Sequence, residues 1–132
     1  MRIFLDDRRS PPDETWVLVR TPDEVIRLLE TGEVTELSLD HDLAVFDGER
    51  EIDGYSVLTF IERAVALDEI TFPIPKLSVH SGNPPAHERM QNAIDAIYRL
   101  AERKAVRVLT LAALTSAFSQ PFAWGQKPPR VG

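Results

Sequence analysis

Leu37-Ser38-Leu39-Asp40-His41-Asp42 is the stretch on which the fold turns. Leu37 and Leu39, with Val34 just upstream, supply the apolar side of a short buried strand. Two carboxylates flanking an imidazole then follow at once. Carboxylates at such a strand end repel each other and resist desolvation unless a cation, a hydrogen-bond donor or solvent relieves them. One acidic strand end alone reads as the start of a polar loop. This chain has a second, Leu5-Asp6-Asp7, and a third with polar groups, Val79-His80-Ser81.

Working outward, Arg2 to Leu5 reads as a first strand, and Asp6-Asp7-Arg8-Arg9 leads into the breaker Ser10-Pro11-Pro12. Thr15 to Arg20, with Trp16-Val17-Leu18-Val19, reads as a second strand. Thr21-Pro22-Asp23-Glu24 carries the signs of a helix start: a capping threonine, proline at the first helical position and a glutamate that closes a capping box. Leu43 to Asp53 reads as an acidic, solvated loop. A helix opens at Gly54-Tyr55, with Val57, Leu58, Ile61, Ala64 and Val65 on its apolar face. Lys76 to Val79 is the fourth strand, His80 to Pro85 a loop, and Ala86 to Lys104 a helix. Val106 to Phe118 is apolar and fits either a strand with a short helix or one amphipathic helix; Gln126 to Arg130 reads as a tail.

The order β, β-α, β-α, β-α predicts an α/β sandwich with a mainly parallel sheet and right-handed crossovers. With the strands in the order 2-1-3-4, winding reverses between strands one and three. Ligands bind at the carboxyl ends of strands near such a point. The three polar strand ends then share one crevice.

The chain has 132 residues, 43% of them hydrophobic, which suits one globular core. No apolar run is long enough to span a bilayer, so no membrane role is expected. The N-terminal stretch meets acidic residues at once and reads as a strand rather than a signal peptide. Cysteine is absent, which excludes disulfides and thiolate chemistry and fits a cytoplasmic location. The net charge of −6 argues against a broad basic face for duplex nucleic acid. After Glu102 there are five basic residues and no acidic one, so the rest of the chain carries −11. An acidic crevice that takes a phosphate needs a cation or arginines beside it.

Carboxylates at the strand ends suit Mg²⁺ or Mn²⁺. His41 and His80 are candidates for general acid and base. Ser81 and Asn83 could donate to phosphate oxygens, and Arg8 or Arg9 could offset phosphate charge. The bland alternatives are loop hydrogen bonds for the histidines and Ser81, and surface charge for the arginines. His87 reads as exposed, Trp16 and Tyr55 as packing residues.

An acidic pair after strand one, an aspartate after strand three and a hydroxyl residue after strand four resemble the response-regulator receiver domain. On that pattern Asp6 and Asp7 look like its metal-binding pair, Asp40 like its phosphoacceptor and Ser81 like its switch hydroxyl. No fifth strand leading into the receiver's lysine is evident; Lys104 follows a helix, and Lys127 a segment broken by proline and glycine. Closer still is the resemblance to the cyclic-phosphate processing receiver domain. It rests on Leu5-Asp6-Asp7-Arg8-Arg9, Leu39-Asp40-His41-Asp42 and His80-Ser81-Gly82-Asn83, with Trp16 to Thr21 and Asp53-Gly54-Tyr55 between them. Glycine is usual in that family where this chain has Ala44 and Ala86, which narrows backbone approach to a phosphate.

The resemblance implies a receiver-like, flavodoxin-like three-layer sandwich over residues 1–104; residues 105–132 lie outside it and read as an apolar extension and basic tail. It implies a metal-assisted phosphoesterase acting on a cyclic phosphate, either a cyclic nucleotide or an RNA end, and hence a role in RNA processing. Asp6, Asp7, Asp40 and Asp42 are the expected metal ligands, for Mg²⁺ or Mn²⁺. His41 and His80 are the expected catalytic residues, and Arg9, Ser81 and Asn83 the expected substrate holders. The rivals are a phosphoacceptor signalling module and a non-catalytic interaction domain. The apolar residues from Val106 to Phe118 are expected to be buried, either within this chain or in a partner chain, the latter as a homodimer through residues 105–118.

Overall fold

The computed structural model describes residues 1–41, 45–47 and 50–119. The chain divides into two units, residues 1–101 and 102–132. In the first, β1 (Arg2–Leu5), β2 (Trp16–Val19), β3 (Glu36–Leu39) and β6 (Lys76–Val79) form one sheet in the order β2-β1-β3-β6. Every neighbouring pair in it is parallel. This is the 2-1-3-4 order expected of a receiver-like fold. Asp6 to Thr15 joins β1 to β2 without a helix. The segments α1 (Pro22–Glu30), α2 (Tyr55–Ala66) and α3 (Pro84–Ser119) supply the helices.

Local chemistry explains the boundaries. Thr21 caps α1, accepting from the Glu24 N–H at 3.4 Å, while its hydroxyl donates to the Glu24 carboxylate at 3.2 Å. This is the capping box expected, with Pro22 in the first turn. Gly54 caps α2 without a side chain, and the Asp53 carboxylate takes over by accepting from the Tyr55 N–H at 3.0 Å. Pro84 and Pro85, read from the sequence as loop, open α3. Proline has no N–H to lose in a first turn.

One expectation is corrected. Residues 45–47 and 50–52 are not loop but two short strands, β4 (Val45–Asp47) and β5 (Arg50–Ile52), paired antiparallel. Their acidity pointed to a solvated loop, whereas Asp47-Gly48 is a hairpin signal in its own right. The third strand also starts at Glu36, two residues later than its apolar pattern suggests.

The register makes the two faces of the sheet unequal. Ile3, Leu37 and Leu77 lie in one row, and Leu5, Leu39 and Val79 in another row on the same face. These rows join Val25 and Leu29 of α1, Val57, Leu58, Ile61 and Val65 of α2, and Met90, Ile94 and Ile97 of α3 in one apolar cluster. Burying each large aliphatic side chain there contributes about 1.5–3 kcal/mol. On the opposite face, Phe4 aligns with Ser38 and Ser78, and Arg2 with Glu36 and Lys76. A sandwich with helices on both sides would not lead one to expect so polar a second face.

In the second unit α3 continues as helix to Ser119, which settles the choice left open by the apolar pattern after Val106. Its Val106, Val108, Leu109, Leu111 and Leu114 are each more than half exposed. No helix among the described residues is long and apolar enough to cross a membrane.

Candidate functional site

The sheet ladder runs one residue beyond the strands. Asp40 N–H donates to the Leu5 carbonyl at 3.0 Å, and His80 N–H to the Leu39 carbonyl at 3.0 Å. Asp6 N–H likewise reaches the Val19 carbonyl at 3.1 Å. Asp6, Asp40 and His80 therefore form the next row after Leu5, Leu39 and Val79. By alternation they point to the face of Phe4, Ser38 and Ser78.

Asp6 is fully buried and Asp40 is 6% exposed. A donor atom from each of Asp6, Asp40 and His80 lies within 4.8 Å of the other two. Asp6 Oδ1 accepts from the backbone N–H groups of Arg8 at 2.8 Å and Arg9 at 2.7 Å. Its Oδ2 lies 3.0 Å from His80 Nε2. Burial pushes the Asp6 pKa up, but the Arg9 and Arg8 amides and the His80 contact together hold it below the ordinary carboxylate value. For His80, burial outweighs the Asp6 and Asp40 carboxylates and lowers the pKa below the ordinary histidine value. At neutral pH the pair is thus an ionised Asp6 and a neutral imidazole whose Nε2–H donates to it.

Three further contacts hold His80, two at its ring and one at its backbone. It stacks on Phe4 with centroids 4.0 Å apart and planes 9° apart. Its Nδ1 lies 2.7 Å from the Ser38 hydroxyl. The Arg9 guanidinium spans to the His80 carbonyl, Nη1 to O at 2.8 Å. A Cβ on Gly82 would come within 3.1 Å of Arg9 Nη2, so the glycine leaves this side chain its room. Arg20 adds a hydrogen bond to the Asp6 carbonyl at 3.2 Å.

A crevice of about 290 Å³ opens here, lined by Asp6, Asp7, Arg8, Arg9, Asp40, Gly82 and Asn83. Of the expected metal ligands, Asp6 and Asp40 meet in the cation-capable trio. Asp7 lines the crevice and lies 3.7 Å from Arg8 Nε. Asp42 lies outside the described residues, as does Ala44. Of the expected substrate holders, Arg9 and Asn83 line the crevice. Ser81 accepts from the Asn83 N–H at 3.2 Å, and Asn83 Oδ1 accepts from the Ala86 N–H at 3.2 Å, capping α3. The expected acid–base pair occupies two settings. His41 Nε2 lies 3.3 Å from Asp53 Oδ2 and 3.3 Å from Arg89 Nη2.

Phe4, Ser38, Arg20 and Gly54 were not read from the sequence as residues of the site. For Phe4 and Ser38 a signal was there: each stands two residues before a strand-end aspartate, and so on the same face. Gly54 and Arg20 act through tertiary approach, which a single sequence does not display.

A four-stranded parallel sheet in this order, with an acidic crevice at its carboxyl edge, defines a receiver-like α/β domain. The model of the cyclic-phosphate processing receiver domain matches residues 1–96, and the chain belongs to that family. No curated protein and no solved structure matches the chain significantly.

Proposed function

We propose that the domain is a metal-assisted phosphoesterase acting on a cyclic phosphate, a cyclic nucleotide or the cyclic end of an RNA. The observation that carries this reading is the trio Asp6, Asp40 and His80, two buried carboxylates and an imidazole within 4.8 Å, of which Asp6 and Asp40 line one crevice with Arg8 and Arg9. This donor set fits a divalent cation. Two oxygens and a nitrogen suit Mn²⁺ or Zn²⁺ better than Mg²⁺, which favours oxygen alone. A cation held there supplies Lewis-acid polarisation of a phosphoryl oxygen.

The chain's own groups do the rest. Arg9, anchored at both its amide and its guanidinium, offsets phosphate charge at a fixed position. Asn83 keeps its carboxamide NH₂ to donate while its Oδ1 caps α3. His80 has both ring nitrogens engaged and serves best as a ligand. His41, whose Nε2 lies between Asp53 and Arg89 outside the trio, is the better proton-transfer group of the two.

The test is a turnover screen of the purified chain against 2′,3′-cyclic and 3′,5′-cyclic nucleotides and RNA with a cyclic-phosphate end, with and without Mg²⁺, Mn²⁺ and Zn²⁺. Metal-dependent ring opening that Asp40→Asn abolishes is the expected result. No turnover, together with phosphorylation of Asp40 by a small phosphodonor, would replace the reading with the phosphoacceptor one.

A further inference from the structure

Ser38 has no part in the chemistry above, yet it is placed with care. It lies within β3, 6% exposed, with its hydroxyl 2.7 Å from His80 Nδ1. A serine, a histidine and an aspartate in sequence suggest a nucleophilic triad. The burial argues otherwise, since a hydroxyl sealed inside a sheet face does not reach substrate. Its chemistry is directed at the imidazole.

The ring has little freedom left. Phe4 fixes its plane, and each nitrogen has its own partner, Asp6 at Nε2 and Ser38 at Nδ1. What can still change is where the ring proton sits. An ionised Asp6 can accept but not donate, so Nε2 carries the proton and Nδ1 accepts from the Ser38 O–H. A cation at Nε2 needs that nitrogen's lone pair. The proton then sits on Nδ1, and Ser38 must accept it. A hydroxyl can do both by rotating about its Cβ–Oγ bond, without moving a heavy atom. Partners of a ligating histidine's second nitrogen fix its tautomer in this way.

We propose that Ser38 is a positioning residue for cation binding, whose hydroxyl donates to His80 Nδ1 in the cation-free protein and accepts from Nδ1–H when Nε2 ligates a divalent cation. This rests on reading Asp6, Asp40 and His80 as a cation site. The protons balance: Nε2 releases one to solvent, solvent returns one to Nδ1, and the imidazole stays neutral. Asp6 exchanges its N–H donor for the cation.

The test uses the full chain with ¹⁵N-labelled histidine rings, titrated with Zn²⁺, which is diamagnetic and accepts mixed oxygen and nitrogen ligands. Without metal, the His80 ring shifts should show the proton on Nε2. With Zn²⁺ they should show it on Nδ1, with Nε2 coordinated. Ser38→Ala should weaken Zn²⁺ binding about 10- to 100-fold, and Ser38→Thr, which keeps the hydroxyl, should retain most of the affinity. If Ser38→Ala fails to fold, Ser38→Cys, with its weak acceptor, should show the loss instead. Unchanged affinity and ring shifts in the folded variant lacking the hydroxyl would overturn the role of Ser38 and leave the cation site standing. A wild-type ring that ignores Zn²⁺ would remove the site and the proposal together. A proton already on Nδ1 in the metal-free wild type would overturn the proposal as well.

Discussion

Gly54 sits against the backbone of Asp40 so closely that a Cβ on it would lie 1.8 Å from the Asp40 carbonyl oxygen and 2.9 Å from the carbonyl carbon. Its φ of −62° is open to any residue, so the constraint is space and not conformation. Gly32 is the opposite case, with φ at +77° and nothing within 4 Å of an added Cβ. Gly54→Ala must therefore push the start of α2 away from the strand end that carries Asp40. We expect it to cost about 1–3 kcal/mol or more and to weaken cation binding. Gly32→Ala should cost about 1–2 kcal/mol from left-handed strain and leave cation binding intact. Urea unfolding and Zn²⁺ titration of both variants check this; equal cation affinity in the two would show that the Gly54 contact does not position Asp40.

The two histidines should separate by readout. His80→Ala removes a donor from the trio, so cation affinity should fall with activity. His41→Ala leaves the trio alone and should lower turnover by ~10²-fold or more at unchanged cation affinity, the usual size for a positioned acid or base. Single-turnover rates at saturating metal, with calorimetry on the same samples, distinguish the two. A His41→Ala protein that loses stability but keeps its activity per folded molecule would make His41 a loop holder through Asp53 and Arg89.

Acid should destabilise the metal-free protein in two stages. The unfolded chain protonates His80 near the ordinary value of about 6.5, while burial makes the folded chain do so at lower pH. Between those values the unfolded state binds more protons, so stability rises with pH through the window and levels off above it. Asp6 acts in the same sense further down. Its stabilisation is present above the ordinary 3.8 and is lost as pH falls through its lowered folded value. His80→Gln should abolish the first stage and Asp6→Asn the second. Urea midpoints across the acid range test this, and a wild type and His80→Gln with the same slope just below pH 6.5 would count against it.

Val106, Val108, Leu109, Leu111 and Leu114 of α3 are each more than half exposed, apolar surface that association would remove from water. The expectation is self-association through residues 105–118, with Leu109→Glu and Leu114→Glu together lowering the mass seen by light scattering. A wild-type chain of monomer mass at high concentration would refute it.

The strands and the polar ends that carry Asp6, Asp40 and His80 were legible because short apolar runs ended abruptly in polar residues; their convergence followed once the strands took the receiver-like order. The α2 face and the Thr21 cap, which are local patterns, were legible too. The β4–β5 hairpin was missed because four acidic residues between Asp47 and Asp53 outweighed the turn signal. The different partners of His41 and His80 were not legible, since those of His41 depend on Asp53 at the start of α2 and Arg89 on α3 converging on one ring. Nothing in the spacing of those residues says that they meet.

The row that continues from Phe4 to Asp6, from Ser38 to Asp40 and from Ser78 to His80 also limits how this site can change by insertion or deletion. A strand's side chains switch faces with every residue. Losing Ser38 from β3 would turn Asp40 into the apolar cluster and put Leu39 in Ser38's place against His80, so the error would strike core and site at once. Gain or loss of two residues keeps the parity and only changes how far the carboxylate projects. The crevice can thus be retuned along the strand axis in steps of two residues, and a frame of one is closed to it.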